Sequence, residues 1–86
     1  MRNIAFEKQA FEQFTEWAAK DRKIYAKIVN LIDDTLRNPF SGIGKPEPLK
    51  HDLKGCWSRR ITDEHRLVYK VTDDSIVVLS CKFHYE

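Results

Sequence analysis

The sequence predicts an α+β fold: a short N-terminal strand, then two antiparallel helices packed on one face of a twisted antiparallel sheet. Three observations point there. Up to Pro39, apolar residues recur at spacings of three and four, the period of a helix with one buried face. Beyond Phe40 that period vanishes, and three runs of β-branched and aromatic residues alternate with short polar turns. The chain carries no internal repeat, low-complexity tract or Gly/Ser linker, so residues 1–86 read as a single domain.

Taken in order, residues 2–6 form a short strand. Ala10, Phe11, Phe14, Trp17 and Ala18 then make one apolar stripe on a first helix. Asp21 caps a second helix, where Ile24, Ile28, Leu31, Ile32 and Thr35 or Leu36 keep a single face apolar for about four turns. Asn38 and Pro39 end it. So short a link makes the helices antiparallel neighbours. Ser41 to Pro48, with two glycines and two prolines, is a loop. Strands over Cys56 to Thr62, Arg66 to Thr72 and Ile76 to Tyr85 follow as an antiparallel meander. In the last strand Val77, Leu79, Cys81 and Phe83 are expected to meet the helices. Arg66 and His84 then share the other face if a three-residue turn, Asp73 to Ser75, pairs Thr72 with Ile76; a two-residue turn would separate them unless a bulge intervened.

Composition narrows the function classes. With 42% hydrophobic and 33% charged residues the chain is globular, and no apolar run approaches the length of a membrane span. The N-terminus does not read as a secretory signal, and two cysteines, Cys56 and Cys81, read as free thiols in a reducing compartment. The net charge of +2 implies no nucleic acid by itself. Its distribution is more informative: between Lys45 and Arg66 basic residues gather around Trp57, a pattern that suits phosphate contacts as well as a solvated sheet face. His51 and His65 are available to add charge there.

Few residues can carry chemistry. Glu47 lies between Pro46 and Pro48, on backbone that both prolines stiffen, which preorganises a carboxylate for general-base work. The alternative is an ordinary solvated loop glutamate. His84 offers an imidazole that gives or takes a proton near neutrality. Arg66 places a guanidinium at the start of the middle strand, where it can grip a phosphate bidentately or pair with Glu64 or Glu47. Arg59 and Arg60 point to opposite faces, so at most one joins Arg66. Trp57 and Tyr69 read as packing residues. His51, Cys56, His65, Cys81 and His84 form no paired ligand motif, so no metal is expected.

The segments Lys45-Pro46-Glu47-Pro48-Leu49-Lys50-His51, Trp57-Ser58-Arg59-Arg60-Ile61-Thr62, Glu64-His65-Arg66-Leu67-Val68-Tyr69 and His84-Tyr85 together resemble the YoeB family of toxins, within the RelE/ParE superfamily of bacterial toxin–antitoxin modules. The likeness runs over essentially the whole chain. It implies a RelE-like microbial ribonuclease fold and a bacterial, cytoplasmic, cofactor-free endoribonuclease. Such a toxin cuts mRNA in the ribosomal A site, is neutralised by a YefM-type antitoxin and is a homodimer when free. By motif, its site residues are Glu47, Arg66, His84 and Tyr85. Metal-free cleavage through the substrate's 2′-hydroxyl then makes Glu47 the general base, Arg66 the phosphate stabiliser, His84 the general acid and Tyr85 a positioning group. Lys45, Lys50, His51, Arg59 and Arg60 are the candidates for contacting the RNA backbone. The sequence departs from the family's pattern in carrying Glu86 after the tyrosine. Two other readings compete: a ParE-like inhibitor that binds gyrase without cleaving RNA, and a noncatalytic partner module for antitoxin or operator DNA.

Overall fold

The computed structural model describes residues 1–83, so the expected His84–Tyr85 pair and Glu86 lie outside the described residues. The elements are β1 (Asn3–Phe6), α1 (Lys8–Lys20), α2 (Arg22–Arg37), β2 (Glu47–Pro48), β3 (Cys56–Arg60), β4 (Arg66–Val71) and β5 (Ser75–Ser80), with a 3-10 turn at His51–Leu53 before β3. A single residue, Asp21, joins the helices. Its Oδ1 accepts from the amides of Lys23 at 3.1 Å and Ile24 at 3.2 Å, a cap of about 1 kcal/mol. The α2 stripe is buried as expected, with Ile28, Leu31, Ile32 and Thr35 inside. On α1 the stripe is narrower: Ala10 is buried, whereas Phe11 stays outside and touches Phe6 edge-on.

The sheet runs β1-β5-β4-β3-β2 and is mixed, not purely antiparallel. β2 to β5 form the expected meander, but β1 adds to β5 in parallel, with Ile4 opposite Ile76 and Phe6 opposite Val78. An isolated four-residue strand carries no signal of direction; β5, the last strand of the meander, comes back alongside it after both helices. β2 lies within the expected loop, where Glu47 pairs with Ser58 and Pro48 with Trp57.

Register in the last hairpin differs from the expected even pairing near the turn. Thr72 and Ser75 close a two-residue Asp73–Asp74 turn, with the Thr72 amide donating to the Ser75 carbonyl at 2.9 Å. Val71 therefore opposes Ile76, and Tyr69 opposes Val78. Val68 then opposes Ser80, which leaves Leu79 as an extra residue on β5. This bulge exchanges the faces of the strand. Before it, Ile76 and Val78 enter the core rather than the expected Val77 and Leu79; after it, Cys81 does, while Phe83 is exposed.

Arg59 was expected to be able to reach RNA, and it cannot. Register puts it on the helix side of β3 with Leu67 and Tyr69, and it is completely buried. All five of its N–H donors are engaged: Nε to Tyr69 Oη at 3.1 Å, Nη1 to Asp34 Oδ2 at 2.6 Å and Ile43 O at 3.1 Å, and Nη2 to Asn38 O at 2.5 Å and Ser41 O at 2.9 Å. Tyr69 in turn donates to Pro39 O at 2.8 Å. One guanidinium thus ties the end of α2 and the following loop to the sheet. The loop is wrapped so closely that a Cβ at Gly42, where φ is +118°, would lie 2.1 Å from Asp34 Oδ2, and one at Gly44 2.7 Å from Leu31 Cδ2.

Removing one member of such a buried pair strands the other's charge, so Arg59→Ala should destabilise the fold by about 3–5 kcal/mol in urea denaturation. The Arg59 hydrogen bond, followed by that from the Ile43 amide, holds the Asp34 carboxyl below its ordinary value. A depressed folded-state value contributes stability above the unfolded-state value and loses it as pH falls through the folded one. Asp34→Asn should therefore be less stable than the parent at pH 7, with the gap narrowing as pH drops below about 4.

Candidate active site

Cross-strand register assembles the site on the sheet face turned away from the helices. Glu47, Ser58, Val68 and Ser80 form one row across β2, β3, β4 and β5. In the adjacent row Arg60 pairs with Arg66. Directly opposed residues share a face, so the carboxylate of Glu47 and the guanidinium of Arg66 lie on one surface. Two strand spacings and two residues along the strand separate their Cα atoms, about 12 Å. Over that span a glutamate and an arginine side chain reach far enough for both ends to contact one phosphate group held above the face. Ser58 and Val68 between them are buried, whereas Glu47 is exposed and Arg60 and Arg66 are half-buried.

Among the described residues the charges on this face are only weakly paired. Among the described residues neither Glu47 nor Glu64 pairs with Arg66; Glu64 instead approaches His65 Nε2 at 3.7 Å. Arg60 reaches only Asp63, at 3.8 Å, and its Nε is buried without a hydrogen-bond partner among the described residues. Glu47 follows a left-handed Lys45, φ +51°, and Pro46. Lys45, Lys50 and His51 are exposed along the same segment. Of the expected RNA-contacting residues, only Arg59 is withdrawn from solvent. Trp57 and Tyr69 pack as expected, Trp57 with its ring 5.0 Å from Phe40.

Sequence reading missed how the chain entering residue 84 is held. The Cys81 amide donates to Gln13 Oε1 at 2.8 Å and its carbonyl accepts from Trp17 Nε1 at 2.9 Å. Lys82 Nζ donates to Glu16 Oε1 at 3.0 Å, which holds the Glu16 carboxyl below its ordinary value, helped by Lys20. The Phe83 amide donates to His65 Nδ1 at 2.8 Å, and the Phe83 carbonyl accepts from the Arg66 amide at 2.8 Å. Phe83 has φ +59°, a left-handed conformation costing a side chain about 1–2 kcal/mol. His65, expected to be available to the basic segment, is instead buried against Trp17, ring centroids 4.9 Å apart. Only its place beside Arg66 in Glu64-His65-Arg66-Leu67 hinted at a role.

A family profile described as a YoeB-like toxin of bacterial type II toxin–antitoxin systems matches residues 6–85. Toxin YoeB of Escherichia coli K12 is 52% identical over 82 residues, covering 95% of this chain and 98% of that one. The chain belongs to the YoeB family. Solved structures agree: the YoeB dimer from Staphylococcus aureus superposes with a TM-score of 0.91 at 49% identity, covering 98% of each chain. The heterotetrameric YoeB–YefM toxin–antitoxin complex from the same organism gives 0.90 at 49%, covering 99% of each. The α+β architecture and the toxin–antitoxin assignment of this YoeB-family chain rest on these matches.

Burial pushes the Cys81 thiol up to about 12, so almost no thiolate is present at neutral pH. Intact-mass measurement after iodoacetamide treatment at pH 8 should find Cys81 unmodified in the folded protein and alkylated once it is denatured.

Proposed function

We propose that this YoeB-family toxin is a ribosome-dependent endoribonuclease that cleaves mRNA in the A site by metal-free acid–base catalysis. The observation that carries the reading is the shared face of Glu47 and Arg66, with Arg60 beside them and its buried Nε unpartnered among the described residues. A substrate phosphodiester set between them meets a base on one side and cations on the other. Glu47 takes the proton of the 2′-hydroxyl, and the 2′-oxygen attacks the neighbouring phosphorus. Arg66 and Arg60 stabilise the negative charge that accumulates on the phosphate oxygens. The 5′-oxygen leaves with a proton from His84, giving a 2′,3′-cyclic phosphate and a 5′-hydroxyl. Tyr85 positions the nucleotide, and no step uses a metal or cofactor.

Exposed Lys45, Lys50 and His51 run the RNA backbone past the site. A YefM-type antitoxin neutralises the toxin, the free toxin is a homodimer, and it acts in the bacterial cytoplasm. No described helix is long and apolar enough to cross a membrane.

Glu47→Ala, Arg66→Ala and His84→Gln should each lower the rate of mRNA cleavage on ribosomes, by about 10²-fold or more for a proton-transfer group or a preorganised charge. Unchanged cleavage in all three would overturn the assignment. Growth arrest with intact mRNA would favour the gyrase-binding alternative. Lys45→Ala, Lys50→Ala and Arg60→Ala should each flatten the log–log salt dependence of binding by about 0.7 while leaving the cleaved codon unchanged. A shift in codon preference alone would refute their role as backbone contacts.

A further inference from the structure

We infer that His65 is a positioning residue for the nuclease step: through Nδ1 it fixes the backbone from which residue 84 departs, and so sets where the general acid lies relative to Arg66. The inference rests on the proposed role of His84. The side chain of Phe83 is 58% exposed, with its ring 5.6 Å from that of His65. The main chain is what is gripped. The Phe83 amide and carbonyl are bound by two consecutive residues, His65 through its ring and Arg66 through its amide. The strand end that carries the phosphate-binding arginine therefore also grips the residue immediately before the acid. A helix contributes the rest of the grip, through Gln13 and Trp17 on the amide and carbonyl of Cys81.

Because Nδ1 accepts from the Phe83 amide, it carries no proton, and the neutral ring holds its hydrogen on Nε2. The ring is wedged between Trp17 and Phe83, with centroids 4.9 Å and 5.6 Å away, so it has little freedom to turn. An acceptor one bond from Cγ is what the position requires. Asn supplies such an acceptor in Oδ1, whereas the Gln oxygen lies one bond further out and superposes on Nε2 instead. This pair of substitutions separates the hydrogen bond from polarity and volume.

Single-turnover cleavage at saturating ribosomes provides the test, with His65→Asn and His65→Gln each made in the parent and in a His84→Gln background. In the parent, His65→Gln should lower the maximal rate by about 10- to 100-fold, as expected for a displaced catalytic group. Half-saturation should stay within about twofold, and His65→Asn should keep most of the rate. In the His84→Gln background the His65→Gln penalty should shrink to about twofold or less, since the two positions act as one unit. An undiminished penalty in that background, a loss confined to half-saturation, or equal losses for Asn and Gln would overturn this inference alone. Wild-type cleavage by His84→Gln would overturn the acid assignment and this inference with it. If His65→Gln fails to fold, amide exchange at Phe83 decides: slow exchange in the parent and in His65→Asn is expected, and fast exchange in the parent refutes the anchor.

Discussion

A guanidinium with no exposure to solvent is affordable only where every donor has a partner, and Arg59 meets that condition with acceptors drawn from four parts of the chain: α2, the turn after it, the glycine loop and β4. Much of the molecule's geometry follows from this constraint. The carbonyls of Asn38, Ser41 and Ile43 have to converge on one point, which coils the loop over β3. The coil leaves no space for side chains at Gly42 and Gly44. Its exit delivers Lys45 and Pro46 to the edge of the sheet, and the Arg60 amide fastens the exit by donating to the Gly44 carbonyl at 2.7 Å. Glu47 enters β2 directly afterwards. A buried cation on one side of the sheet thereby fixes the placement of a carboxylate on the other.

Arg59 and Arg60 illustrate how strand alternation distributes roles between adjacent identical residues. One is consumed by architecture, and its neighbour on the outer face reaches only Asp63 among the described residues. Alternation itself was readable from the sequence, but not which arginine faced inward. That depends on Asp34, twenty-five positions earlier, and on carbonyl groups that no sequence pattern reveals.

The parts of the fold that could be read were local. The α2 stripe and the Asp21 cap need only the helical period and one side chain reaching its own turn. Strand boundaries and the shared face of Glu47 and Arg66 demanded tertiary context. The even register expected for the last hairpin fails at Asp73–Asp74 and is restored only by the bulge at Leu79, which no composition signal marks. The parallel placement of β1 was hidden for the same reason, because four residues alternate equally well in either direction. At the site, residue types and a family likeness pointed to Glu47 and Arg66. The grip on Phe83 was hidden because its hydrogen bonds use backbone atoms on one side, and nothing in a sequence indicates which main-chain amide a histidine will meet.

The parallel seam between β1 and β5 carries a consequence for how the protein is made. β1 can find its partner only after Ser75 to Val78 have been synthesised, so its edge stays open until the meander is complete. The two helices can form early, but the sheet that presents Glu47 and Arg66 closes last.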